Sequence, residues 1–135
     1  MNLKPTTAEE QYSLGLAYYY GKGVLKDYAE AVKWIRKAAE QGHAHAQYSL
    51  GYAYDKGKGV LKDYAEAVKW FRRAAEQGNV GAQYTLGNAY LSGEGVGKDQ
   101  VEGVKWLRKA AEQGIDWAKG MMRPACRRSK GVKKD

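Results

Sequence analysis

A single cysteine, Cys126, is present in 135 residues, so no internal disulfide is available and nothing in the chain requires an oxidising compartment. No apolar run approaches the length that spans a bilayer, and Met1-Asn-Leu-Lys-Pro-Thr-Thr7 has neither the apolar core nor the cleavage site of a signal peptide. The chain as given is expected to be soluble and cytoplasmic; an exported protein trimmed of its signal peptide would read the same way. Phosphate-binding glycine loops, nucleophile–base pairs and paired-carboxylate arrangements are all missing, so neither an enzyme nor a cofactor is expected. Phenylalanine is nearly missing too: one, against eleven tyrosines and four tryptophans. Aromatics with polar tips in such excess suit a protein with much half-exposed contact surface.

What the chain does have is a period of 36 residues. Residues 10–45 laid over 46–81 agree at 27 of 36 positions. Gln11-Tyr-Ser-Leu-Gly15 returns as Gln47-Tyr-Ser-Leu-Gly51 and Gln83-Tyr-Thr-Leu-Gly87, and Gly21-Lys-Gly-Val24 as Gly57-Lys-Gly-Val60 and Gly93-Glu-Gly-Val96. Trp34, Trp70 and Trp106 share one phase, as do the Ala-Ala-Glu-Gln-Gly blocks ending at Gly42, Gly78 and Gly114. A period of this size belongs to supersecondary units that stack on one another, an architecture that mostly holds partners.

Within the second unit, Ala46, Leu50, Ala53 and Tyr54 form one apolar stripe of a helix, here helix A, which stops at Gly57 and Gly59. Asp63 then stands at an N-cap position with Glu66 three residues on, close to a capping box. Helix B follows with Tyr64, Ala67, Val68, Phe71, Ala74 and Ala75 on one stripe, widened by Trp70 and closed at Gly78. So broad an apolar arc can meet its own helix A and a neighbouring unit. Gly15, Gly51 and Gly87 interrupt helix A at about 1 kcal/mol each relative to alanine, which predicts a close helix–helix approach there. The third unit is weaker: Gly97 replaces Leu25 and Leu61, Gln100 replaces Tyr28 and Tyr64, and Gly103 replaces Ala31 and Ala67.

The resulting organisation is a lead over residues 1–7 and repeats over 8–42, 43–78 and 79–114. A truncated capping half-repeat over 115–122 presents Trp117, Met121 and Met122, and a basic tail expected to be disordered occupies 123–135. Residues 119–135 carry seven lysines and arginines against Asp135 alone, whereas the first 118 residues are almost balanced. The pI near 9.5 therefore describes the tail, not the repeats.

Leu50, Gly51, Tyr54, Gly57, Gly59, Val60, Asp63, Ala67, Trp70, Ala74, Ala75 and Gly78, with their counterparts 36 residues either side, make up a specific pattern. It resembles the Sel-1-like repeat family, relatives of tetratricopeptide repeats, over residues 8–122. The resemblance implies an all-α, right-handed superhelix, a solenoid of three helix pairs whose A helices line a concave groove. It also implies adaptor or scaffold roles in protein complexes, often bacterial. The branch with a disulfide in each repeat is not matched.

Positions that differ between otherwise identical units are not needed for stacking. In helix A these are Glu9, His45 and Gly81; Leu16, Tyr52 and Asn88; Tyr19, Asp55 and Leu91; and Tyr20, Lys56 and Ser92. They gather near one helical face together with the fixed Tyr12, Tyr48 and Tyr84. By the resemblance, Tyr12, Leu16, Tyr19, Tyr20, His45, Tyr48, Tyr52, Asp55, Tyr84, Asn88 and Leu91 line a partner-binding groove. Tyrosine is over-represented at interface hot spots because it offers large area with few torsions to freeze.

Other signals have plainer readings. The basic triplets Lys33, Arg36, Lys37; Lys69, Arg72, Arg73; and Lys105, Arg108, Lys109 are each flanked by glutamates at helical spacing, as Glu30 and Glu40 flank the first, and read as intrahelical ion pairs on a solvated face. His43-Ala-His45 has no third ligand, and His43 stands where Asn79 caps the next unit, so no metal is expected. Arg127, Arg128, Lys130, Lys133 and Lys134 provide the alternative function, sequence-independent binding of nucleic acid or anionic lipid. Self-association through unit one or unit three is a further option for so short a stack. A protein–protein scaffold is the first reading.

Overall fold

The computed structural model describes residues 4–114 as six α-helices: α1 (Ala8–Tyr20), α2 (Tyr28–Glu40), α3 (Ala44–Lys56), α4 (Tyr64–Glu76), α5 (Val80–Ser92) and α6 (Gln100–Glu112). No strand lies among the described residues. The expected cap with Trp117, Met121 and Met122, and the basic tail, lie outside them. No helix among the described residues is long and apolar enough to cross a membrane.

Side-chain caps fix where each helix begins. Asp27, Asp63 and Asp99 accept from the backbone N–H groups of Glu30, Glu66 and Glu102, and His43 and Asn79 do the same for Ala46 and Ala82. The reciprocal capping box sits at the start of α1, between Thr7 and Glu10. At Asp63 only the aspartate half of the box is recorded, from the Glu66 N–H. Odd-numbered helices stop on a left-handed glycine, such as Gly57 at φ 70°.

Helices pack mainly on their neighbours in sequence, within a unit and from one unit to the next. Closest approach within a unit is at the helix-A glycine: a Cβ on Gly51 would lie 2.7 Å from the Phe71 ring and 3.1 Å from the Ala67 carbonyl oxygen, with Ile35 and Leu107 in Phe71's place in the other units. The core is a string of junctions. One buried cluster joins Ala31, Val32, Ile35, Ala38 and Ala39 of α2 to Ala46, Leu50 and Ala53 of α3 and Trp70 of α4. A second joins Val68, Ala74 and Ala75 of α4 to Ala82, Leu86 and Tyr90 of α5 and Trp106 of α6.

Two polar devices stitch the junctions. Buried Gln47 donates to the Ala39 carbonyl of the preceding unit and accepts from Gln77 of its own unit, while Gln77 also donates to the carbonyl of Gly42. Gln83 and Gln113 repeat the arrangement against Ala75 and Gly78. Gln11 has no preceding unit among the described residues and bonds Pro5 instead, while accepting from Gln41.

Arginine forms the second device and corrects the ion-pair expectation. Arg36 donates to the Tyr54 hydroxyl at 2.6 Å and Arg72 to that of Tyr90, so each cation reaches the following unit rather than the glutamate four residues on. Gly103, expected to weaken unit three, has a partner of its own: a Cβ there would sit 2.7 Å from Leu91. The Leu91 side chain of helix A occupies the space that a side chain at Gly103 of helix B would take.

Candidate functional site

Each A helix except the first is held between two B helices, and what remains of its circumference forms the candidate surface. Leu16, Tyr19 and Tyr20 of α1 and Tyr48, Ser49 and Tyr52 of α3 wall a cleft of about 420 Å³, with Val32 and Ile35 of α2 contributing apolar lining. Tyr20 and Tyr52 are 62% and 43% exposed. Tyr19 meets Tyr20 edge to face with ring centres 5.0 Å apart, and Tyr28 at the same distance. Partial burial, helped by the phenols of Tyr28, Tyr52 and Tyr20, holds the Tyr19 hydroxyl above its ordinary range. Tyr28 titrates below its ordinary range because Lys26 hydrogen-bonds it, with Lys58 adding to the effect. Tyr48 rests against Phe71, ring centres 5.6 Å apart.

The other expected residues do not join this cleft. Asp55, Asn88 and Leu91 line a second one of about 480 Å³ at the next junction, beside Thr85, Ser92 and Glu94. The repeat offset makes it the counterpart of the first with polar side chains in place of tyrosines. His45 and Tyr48 line a third hollow with Asn79, Val80 and Gly81, and Nδ1 of His45 lies 3.3 Å from Nδ2 of Asn79. Tyr12 is engaged at the junction itself, its hydroxyl 3.0 Å from Oγ of Ser49 and its ring 4.9 Å from that of His43. Tyr84 is half-buried on α5. Val32, Ile35 and Ser49 were missed by sequence reasoning. The first two repeat as core positions, and Ser49 does not vary between the first two units, so a search for variable positions passes over them.

The cations of helix B are largely engaged within the molecule. Lys33, Lys69 and Lys105 pair with Glu30, Glu66 and Glu102 at 3.5–3.8 Å. Lys37, Arg73 and Lys109 stand over the rings of Trp34, Trp70 and Trp106. Among the described residues no group of three or more His, Cys, Asp or Glu side chains is arranged to hold a metal ion.

Three stacked helix hairpins stitched by repeated polar contacts make this a helical-repeat protein. A Sel1 repeat model matches residues 11–43, 44–79 and 80–115, and the chain belongs to the Sel1 repeat family. Among solved structures it is similar to a protective antigen of uropathogenic Escherichia coli strains described as displaying an SLR fold, with 49% identity and a TM-score of 0.82 over 85% of this chain. It is also similar to a Sel1 repeat protein from Oxalobacter formigenes, with 43% identity and a TM-score of 0.80 over 82% of this chain. These alignments cover 25% and 46% of the two relatives, so the chain spans about a quarter and about half of their lengths. Cysteine rich protein B of Helicobacter pylori, at 22% identity, shares the fold, with a TM-score of 0.69 over 86% of this chain and 97% of its own. Comparison with curated proteins gives no match. Proteins built from Sel1 repeats generally serve as scaffolds for protein interaction.

Proposed function

We propose that this chain binds an extended or helical peptide segment of a partner protein across the A helices, anchored in the cleft between units one and two. The observation that carries the reading is the convergence of Leu16, Tyr19, Tyr20, Tyr48 and Tyr52 on one cleft with Val32 and Ile35 in its lining. Tyrosine walls on apolar lining give a partner side chain both burial and hydroxyl partners. Asp55, Asn88 and Ser92 at the next junction would receive a more polar stretch of the same segment.

Peptides selected from a display library against the full chain test this. Replacing Tyr20 and Tyr52 together by alanine removes two exposed side chains and should weaken a selected peptide by at least tenfold, about 1.4 kcal/mol, while the helical circular dichroism stays unchanged. Affinity unchanged in that variant would move the site elsewhere. The alternative, an anionic polymer or lipid surface held by Arg127, Arg128, Lys130, Lys133 and Lys134, rests on the charge of a segment outside the described residues. Salt separates the two: peptide binding in the cleft persists at about 0.3 M, where phosphate binding by these lysines and arginines is largely screened.

A further inference from the structure

Among the described residues, one contact that the stack makes at both of its inner junctions is left open at α6. In each junction a Gly-Val pair after an A helix seats on the first turns of the preceding unit's B helix. A Cβ on Gly59 would collide with the carbonyl of Tyr28 and the side chain of Val32, and one on Gly95 with the carbonyl of Tyr64 and the side chain of Val68. Both glycines have positive φ, 80° and 81°. Val60 and Val96 pack against the two junction clusters, and Val32 and Val68 are only 4% and 7% exposed. On α6 the corresponding residues are Gln100 and Val104. There Val104 is 38% exposed and Val101 80%, and with Gln100, Lys105 and Arg108 they line an open groove of about 690 Å³.

The sequence supplies an occupant in register. Gly59 lies 31 residues beyond Tyr28 and Gly95 31 beyond Tyr64; 31 beyond Gln100 is Gly131, followed by Val132. Ser129-Lys-Gly-Val-Lys-Lys-Asp135 agrees with Gly57-Lys-Gly-Val-Leu-Lys-Asp63 at five of seven positions, through Lys130, Gly131, Val132, Lys134 and Asp135. We propose that residues 129–135 are a fourth copy of the repeat loop, and that Gly131 and Val132 dock on Gln100 and Val104 to close this end of the stack. Arg123 and Pro124 break the helix-A pattern between them, yet the spacer from Gly114 to Gly131 is as long as those from Gly42 to Gly59 and Gly78 to Gly95. Gln100 in place of tyrosine is no obstacle, because the glycine meets the backbone carbonyl at that position. Nor is the segment's charge: Lys58, the counterpart of Lys130, stands 5.0 Å from the Tyr28 ring on a helix that carries Lys33, Arg36 and Lys37.

The test is a spin label on the full chain. Lys133→Cys in a Cys126→Ser background places the nitroxide at the counterpart of Leu61, which is 89% exposed, so the label leaves the docked face clear. Methyl NMR of Val101 and Val104 is expected to show loss of signal to broadening, and adding Gly131→Leu is expected to restore it. No broadening, or broadening that Gly131→Leu leaves in place, overturns the proposal. Broadening seen only between a labelled molecule and an isotope-enriched second one also overturns it, since the occupant would then be another copy of the chain.

Discussion

Gly51 shows how one residue governs a unit. A methyl group there gains up to about 1 kcal/mol of helix propensity, and overpacking typically costs about 1–3 kcal/mol. The Phe71 ring could shift, but the Ala67 carbonyl at 3.1 Å is main chain and cannot move away alone. Gly51→Ala should therefore destabilise the protein by about 1 kcal/mol in urea unfolding, and a Phe71→Ala background should reduce the loss, whereas Phe71→Leu should not, since Leu107 crowds Gly87 in the same way; a stabilised Gly51→Ala would contradict this packing. The glutamines give a graded case. Gln77→Ala strips the Gln47 side chain and the Gly42 carbonyl of a donor, whereas Gln41→Ala strips Gln11 alone. Leaving a buried acceptor unpaired costs about 1–3 kcal/mol. Both variants should be destabilised, Gln77→Ala more than Gln41→Ala, read from the same unfolding curves. The close approach at Gly51 was legible in the sequence because a mid-helix glycine recurs against its propensity. The glutamine and Arg–Tyr contacts were not: partners 18, 30 and 35 residues apart leave no short-range signature, and recurrence alone does not say which copy bonds which.

At the scale of the element, the starts of α2 to α6 were readable because an aspartate, histidine or asparagine cap precedes each apolar run, whereas the Thr7 cap of α1 was not read. The box at Thr7 gives α1 a pH dependence. Glu10 is held below the ordinary carboxylate range by the backbone N–H of Thr7 first and of Thr6 second. A carboxylate whose folded value is lowered contributes stability above its unfolded value, and that contribution is lost as pH falls through the folded value. The thermal midpoint of the wild type should thus fall more steeply on acidification than that of Glu10→Gln; parallel curves would remove the box from the account. The residues of the candidate cleft were read less well than the caps. A helix packed on two sides carries apolar residues round most of its circumference, so periodicity separates its outward face poorly. Variation between units found Tyr20 and Tyr52, yet it also gathered Asp55, Asn88 and Leu91, which line the next junction, and Leu91 in addition fills the space beside Gly103.

For the whole molecule, the 36-residue period carries the stacked helix-pair architecture, because a unit that cannot bury its own apolar arc must lean on a neighbour. The central functional claim is that a partner peptide lies in the cleft walled by α1 and α3. Titrating a selected peptide into the full chain with isotope-labelled tyrosine rings reads that face directly. The account predicts shifts for Tyr19, Tyr20, Tyr48 and Tyr52, with Tyr54 and Tyr90, held by Arg36 and Arg72 at the junctions, unmoved. Unmoved cleft tyrosines under saturating peptide would contradict it.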